Sequence, residues 1–137
     1  MKPRQLEKSE QAGGVKLLML LGAKVYVLGT RRSRGKPCPK CGTFVDEHQG
    51  TRQTPGIGDV LAFLPARDGV REPLWWEAKR PINGRLSSAQ REFRDLCLAA
   101  RAAHCVGSCD DLINWLIENR YLRDSQVPHY RVRQVPA

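Results

Sequence analysis

The chain has 137 residues, 41% hydrophobic and 27% charged, which is enough for one domain with a core of its own. Its longest apolar run, LLMLL at 17–21, is too short to span a bilayer, and the opening MKPRQLEKSE lacks the apolar stretch of a secretory signal, so a single intracellular domain over 1–137 with no membrane segment is expected. Twenty-three basic against fourteen acidic residues give +9, an excess that favours a polyanionic partner such as nucleic acid, or an anionic surface.

Residues 5–21 place Leu6, Val15, Leu17, Leu18 and Leu21 at helical spacing, with Gly22 as a stop signal. Gly13 and Gly14 each weaken that helix by roughly 1 kcal/mol relative to Ala, which leaves room for a kink or a late start. AKVYVLG (23–29) alternates Val25 and Val27 against Lys24, Tyr26 and Leu28 and reads as a strand. Residues 30–56 are irregular and rich in Gly, Pro, Arg and Thr, a loop length that usually serves function or holds an inserted feature. DVLAFLP (59–65), the turn signal RDG (67–69) and EPLWWEAK (72–79) then read as a hairpin. Ser87 is an N-cap for a helix whose apolar face is Leu86, Ala89, Phe93, Leu96, Cys97 and Ala100. AHCVGS (103–108) is a short strand, DDLINWLIENRYL (110–122) an amphipathic helix, and 123–137 a basic tail. Helix, strand, hairpin, helix, strand, helix is the order of an α/β domain, a mixed sheet with helices packed against it.

The hairpin carries the chemistry. Glu77 and Lys79 project from one face of their strand while Trp76 and Ala78 point to the other. Asp59 opens the preceding strand, so pairing of the two strands brings Asp59 and Glu77 to one end of the sheet. Two carboxylates held together repel unless a cation lies between them, and hard oxygen ligands suit Mg²⁺ or Mn²⁺, which would polarise a phosphodiester. Lys79 would lie beside the scissile phosphate, suited to orienting water and stabilising developing negative charge more than to abstracting a proton. An acid–x–Lys triplet alone is a weak signal, because a solvated strand end with a salt bridge gives the same letters. Gln90 adds to it: Leu86 and Phe93 flank it on the helix, at the edge of the apolar stripe, where an amide needs a partner.

GIGD, WWEAK and GRLSSAQREF, preceded by the helix ending LLMLLGAKVY, together resemble the VRR-NUC branch of the PD-(D/E)XK nuclease superfamily, from about residue 7 to about residue 116. The resemblance implies a restriction-endonuclease-like core in αβββαβ order with a C-terminal helix. It implies Asp59 and Glu77 as metal ligands, Lys79 as the catalytic lysine and Gln90 as the helix glutamine. An acid on the first helix is also implied; Glu7 fits its spacing best, Glu10 is the reserve, and an ordinary exposed helix acid is the plain alternative. The implied activity is Mg²⁺-dependent endonuclease cleavage leaving 5′-phosphate and 3′-hydroxyl ends on branched or flapped DNA. Small stand-alone members are often virus-encoded replication, recombination or repair proteins that pair as homodimers, in which case the location is a host cytoplasm. Gly58 stands where the superfamily name has Pro, a position that performs no chemistry.

Five cysteines without a secretory signal speak against a disulfide framework. PCPKCG (37–42) has the knuckle spacing of half a zinc site: Cys38 and Cys41 are candidate Zn²⁺ ligands, His48 a third, and Cys105 or Cys109 a fourth if the fold brings them near. An unliganded turn is equally compatible, and Cys97 and Cys105 also read as core residues. Arg31, Arg32, Arg34, Lys36, Arg52 and Gln53 are candidate DNA contacts in the long loop. Trp75 and Trp76 could stack on bases, with Trp76 better suited to the core. Two other classes stay open: a non-catalytic nucleic-acid-binding module built on the basic loop and knuckle, and an interaction subunit docking an acidic protein.

Overall fold

The computed structural model describes residues 2–28, 38–42 and 54–127. A central sheet of four strands in the order β1-β2-β3-β4 is formed by Lys24–Val27, Val60–Phe63, Pro73–Ala78 and Ala103–Gly107. β1 and β3 flank β2 antiparallel, and β4 joins β3 parallel, so the sheet is mixed as expected. The helices are α1 (Pro3–Leu20), α2 (Ser88–Ala99) and α3 (Cys109–Glu118), followed by a 3-10 turn at Asp124–Gln126. No helix among the described residues is long and apolar enough to cross a membrane.

Strand alternation divides the faces. Val60, Ala62, Leu74, Trp76, Ala78 and Cys105 are buried in one cluster with Leu17 and Leu18 of α1 and Leu112, Ile113 and Leu116 of α3. Trp75 and Glu77 point the other way, where Trp75 meets Phe93 of α2 edge-on at 5.2 Å between ring centroids. The result is a three-layer domain, with α1 and α3 on one face and α2 on the other.

The β2–β3 hairpin follows from its turn chemistry. Asp68 (φ 50°) and Gly69 (φ 77°) both take left-handed backbone, and Arg67 and Val70 exchange both backbone hydrogen bonds across them. Two consecutive positive φ values give a turn whose twist matches that of the strands. Ser87 caps α2 as expected, its hydroxyl accepting from the Gln90 N–H.

Several expectations change. α1 runs without interruption through Gly13 and Gly14, because Gly14 is where the helix meets the sheet: a Cβ there would lie 2.1 Å from the Trp76 ring. The close approach outweighs the loss of helix propensity. Leu96, assigned to the buried face of α2, is 62% exposed, and Ala100 is exposed too. α2 lies on the sheet near its N-terminal half and at Cys97, so the apolar stripe is only partly covered. Val27 is exposed on the edge strand, where Val25 is half-buried. α3 starts at Cys109, capped by Ser108, and stops at Glu118, with Arg120 in the left-handed region (φ 63°) reversing the chain. Beyond α3 the chain stays on the core, with Leu122 and Val127 buried.

Candidate active site

The site grows from the end of the hairpin. The pairing Val60 with Trp76 puts Asp59, one step on, directly across from Glu77. Opposed side chains on one face of an antiparallel pair have Cβ atoms about 5 Å apart. The two carboxyl groups interact directly, and the Asp59 carboxyl also accepts from the Ala78 N–H. Glu77 is buried, with 2% of its surface exposed.

Three further side chains converge on this pair. Lys79 Nζ lies 3.3 Å from Glu77 Oε1 and 3.3 Å from Glu7 Oε1. Gln90 Nε2 donates to the same Glu77 oxygen at 2.5 Å. Gln90 is fixed at its other end: its Oε1 accepts from the Ser87 N–H at 2.8 Å, closing the capping box of α2. One amide thus both starts a helix and orients the buried carboxylate. The backbone of Lys79 is held in turn, its N–H donating to the Gly107 carbonyl at 2.9 Å.

Burial sets the electrostatics. It raises the Glu77 carboxyl to about 7, with the nearby Asp59 charge adding to the rise and Lys79 only partly opposing it. Burial also raises Asp59, against the hydrogen bond from Glu77, the Lys79 charge and the Ala78 N–H. Two adjacent carboxyls that resist ionisation form a site of missing positive charge, and one ammonium does not compensate for both. A divalent cation with a preference for oxygen fits that deficit and that donor set. Among the described residues no group of three His, Cys, Asp or Glu side chains forms a ready metal cage; the donors are a pair, with Glu7 turned to Lys79.

Asp59, Glu77, Lys79, Gln90 and Glu7 are therefore brought together. Glu10, the reserve helix acid, points elsewhere: its Oε2 accepts from the Cys109 N–H at 2.7 Å. Arg31, Arg32, Arg34, Lys36, His48, Arg52 and Gln53 lie outside the described residues. Cys38 and Cys41 sit on a tight turn in which the Gly42 N–H (φ 70°) donates to the Cys38 carbonyl at 2.9 Å. Among the described residues, Cys105 and Cys109 form no group of three metal-ligating side chains with them. Both are buried between the sheet and α3, and burial pushes the Cys105 thiol up to about 12. Trp76 is wholly buried, which removes it from base stacking.

The two glycines of GIGD support the site through close approaches that their letters alone did not reveal. A Cβ at Gly56 (φ 88°) would lie 2.4 Å from the Ala89 carbonyl oxygen, so this glycine lets the approach to Asp59 press against the first turn of α2, beside Gln90. At Gly58 a Cβ would lie 3.3 Å from the Trp75 ring, a tight contact that the ring would relieve by moving a few tenths of an ångström. Both glycines stand in TPGIG, immediately ahead of Asp59.

No protein-family model and no curated protein matches the chain. A solved structure titled "VRR_NUC domain" does, with 22% identity over 82% of this chain and 95% of that one, at a TM-score of 0.53. The mixed four-stranded sheet, its flanking helices and that match agree: the chain has the restriction-endonuclease-like fold of a VRR-NUC domain.

Proposed function

We propose that this chain is a metal-dependent DNA endonuclease, a single domain that hydrolyses phosphodiester bonds at the Asp59–Glu77 end of its sheet. The observation that carries the proposal is the buried, mutually repelling carboxyl pair with Lys79 against it. A binding module or docking subunit gains nothing from such a pair, because an apolar residue at the Glu77 position would be cheaper to bury. The net charge of +9 supports a polyanionic substrate.

Asp59 and Glu77 would hold Mg²⁺ or Mn²⁺. Bound there, such an ion supplies positive charge that polarises a phosphodiester and makes water a better nucleophile. Gln90 keeps Glu77 in one orientation by donating to Oε1. Lys79, suspended between Glu7 and Glu77, presents an ammonium that orients the attacking water and stabilises the negative charge developing on the phosphate. Glu7 limits the freedom of that amine, so the charge is in place before the transition state forms. The resemblance to VRR-NUC nucleases extends the proposal to 5′-phosphate and 3′-hydroxyl products, to branched or flapped DNA, and to a phage-type replication, recombination or repair setting with pairing as a homodimer.

The test is incubation of the pure protein with labelled linear, nicked and four-way DNA, with Mg²⁺ or with EDTA. Cutting with Mg²⁺ that EDTA stops, and that Asp59→Ala and Lys79→Ala both abolish while remaining folded, is the expected result. Full cutting by either folded variant overturns the assignment. Salt-sensitive DNA binding with no cutting favours the non-catalytic module.

A further inference from the structure

Glu7 sits on a part of α1 that has little of its own to hold it. The described side chains of residues 5–12 are all exposed or half-exposed, and the buried anchors of the helix, Gly14, Leu17 and Leu18, all come later. Gly13, among the poorest helix formers, joins the two parts. Side-chain burial alone would therefore leave the turn carrying Glu7 loosely seated on the sheet. One hydrogen bond opposes this: Glu10, on the same helix face one turn after Glu7, accepts from the Cys109 N–H at 2.7 Å.

Cys109 is the first residue of α3. Ser108 and Asp111 cap that helix reciprocally, Ser108 Oγ accepting from the Asp111 N–H and Asp111 Oδ2 from the Ser108 N–H. The Glu10 carboxylate adds a cap from 99 positions away in the chain, where a helix N-terminus favours negative charge. Two residues before Cys109, the Gly107 carbonyl accepts from the Lys79 N–H at 2.9 Å and from Trp76 Nε1 at 3.3 Å. Gly107 is itself constrained, since a Cβ there (φ 136°) would lie 2.2 Å from Asp111 Oδ2. Three consecutive residues, 107–109, thus hold the backbone of Lys79 and, through Glu10, the helix that carries Glu7.

From this geometry we infer that Glu10 is a positioning residue: it fixes α1 to the β4–α3 corner that also holds Lys79, and so sets the Glu7–Lys79 contact. Glu10 touches neither the carboxyl pair nor Lys79, and acts through Glu7. The inference rests on the proposed nuclease reading for its kinetic consequence, but not for its structural one.

A double-mutant cycle tests it with two readouts. The first is the ¹⁵N resonance of the Lys79 ammonium, which needs no DNA. Glu10→Ala should move it in the same direction as Glu7→Ala, and adding Glu10→Ala to Glu7→Ala should move it no further. The second is Mg²⁺-dependent cutting: Glu10→Ala should lower kcat roughly tenfold with KM for DNA little changed, and should have almost no effect once Glu7 is Ala. Glu10→Gln, whose amide oxygen still accepts from Cys109, should restore most of both signals. If Glu10→Ala leaves the Lys79 resonance in place, or lowers kcat by the same factor with and without Glu7, the positioning role is wrong and the residue serves the fold alone. If the resonance behaves as expected but the wild-type protein cuts no DNA, the positioning stands and the nuclease reading falls.

Discussion

Replacing Glu77 by Gln should stabilise the protein at neutral and alkaline pH while removing its activity. The Glu77 carboxyl is raised from an ordinary value of 4.5 to about 7, chiefly by burial. At low pH the group is protonated in both the folded and unfolded states and costs nothing. As pH rises past about 4.5 the unfolded chain ionises first, and stability falls until the folded carboxyl ionises near 7. The difference corresponds to roughly 3 kcal/mol at 1.36 kcal/mol per pH unit, or a fall in Tm of about 10 °C for a domain of this size. Gln mimics the protonated form, accepting from Gln90 and donating towards Asp59, so the variant escapes that loss. Denaturant titrations of wild type and Glu77→Gln from pH 4.5 to pH 8 should therefore diverge, with the wild type falling behind by roughly 3 kcal/mol. Saturating Mg²⁺ should close the gap at pH 8 and change little at pH 4.5, where the two proteins are nearly equal, because a divalent ion binds the ionised pair. Parallel curves for the two proteins would refute the claim that the Glu77 carboxylate is strained by burial.

Other perturbations follow from the same geometry. Lys79→Arg should fail to restore the activity lost in Lys79→Ala, because a planar fork cannot replace a compact ammonium between Glu7 and Glu77; cutting assays on folded protein check it. Gln90→Ala should slow cutting by roughly 10- to 100-fold, the equivalent of one hydrogen bond to a charged group, in single-turnover kinetics. Gly14→Ala should destabilise the fold by roughly 1–3 kcal/mol in urea titrations despite its better helix propensity, since the added methyl meets Trp76.

The chemistry of the site was legible where it was local. Asp59, Glu77 and Lys79 lie on a hairpin whose turn signal, Asp68–Gly69, sets the register that opposes the two acids. Ser87 was a visible cap, and the position of Gln90 beside Phe93 marked it as an amide in need of a partner; that Gln90 also closes the capping box came from the structure. Spacing favoured Glu7 over Glu10 without excluding the second, because both lie on one side of α1; their partners, Lys79 and Cys109, follow the C-terminal ends of β3 and β4, a neighbourhood that only the fold reveals. The role of Gly14 was hidden for a similar reason: helix propensity records its cost, while its benefit depends on a tryptophan 62 positions later. Leu96 misled because a helical stripe shows which residues share a face, not how far the opposing sheet extends beneath it.

The central claim is that Asp59 and Glu77 share one divalent cation. Crystals of the wild-type protein soaked in Mn²⁺, with anomalous diffraction collected at a wavelength where manganese scatters, test it most directly. The expected result is a peak between the two carboxylates at about 2.1 Å from an oxygen of each, absent in Asp59→Ala. A protein that cuts DNA with Mn²⁺ yet shows its metal elsewhere, with the two carboxyls still hydrogen-bonded to each other, would contradict it.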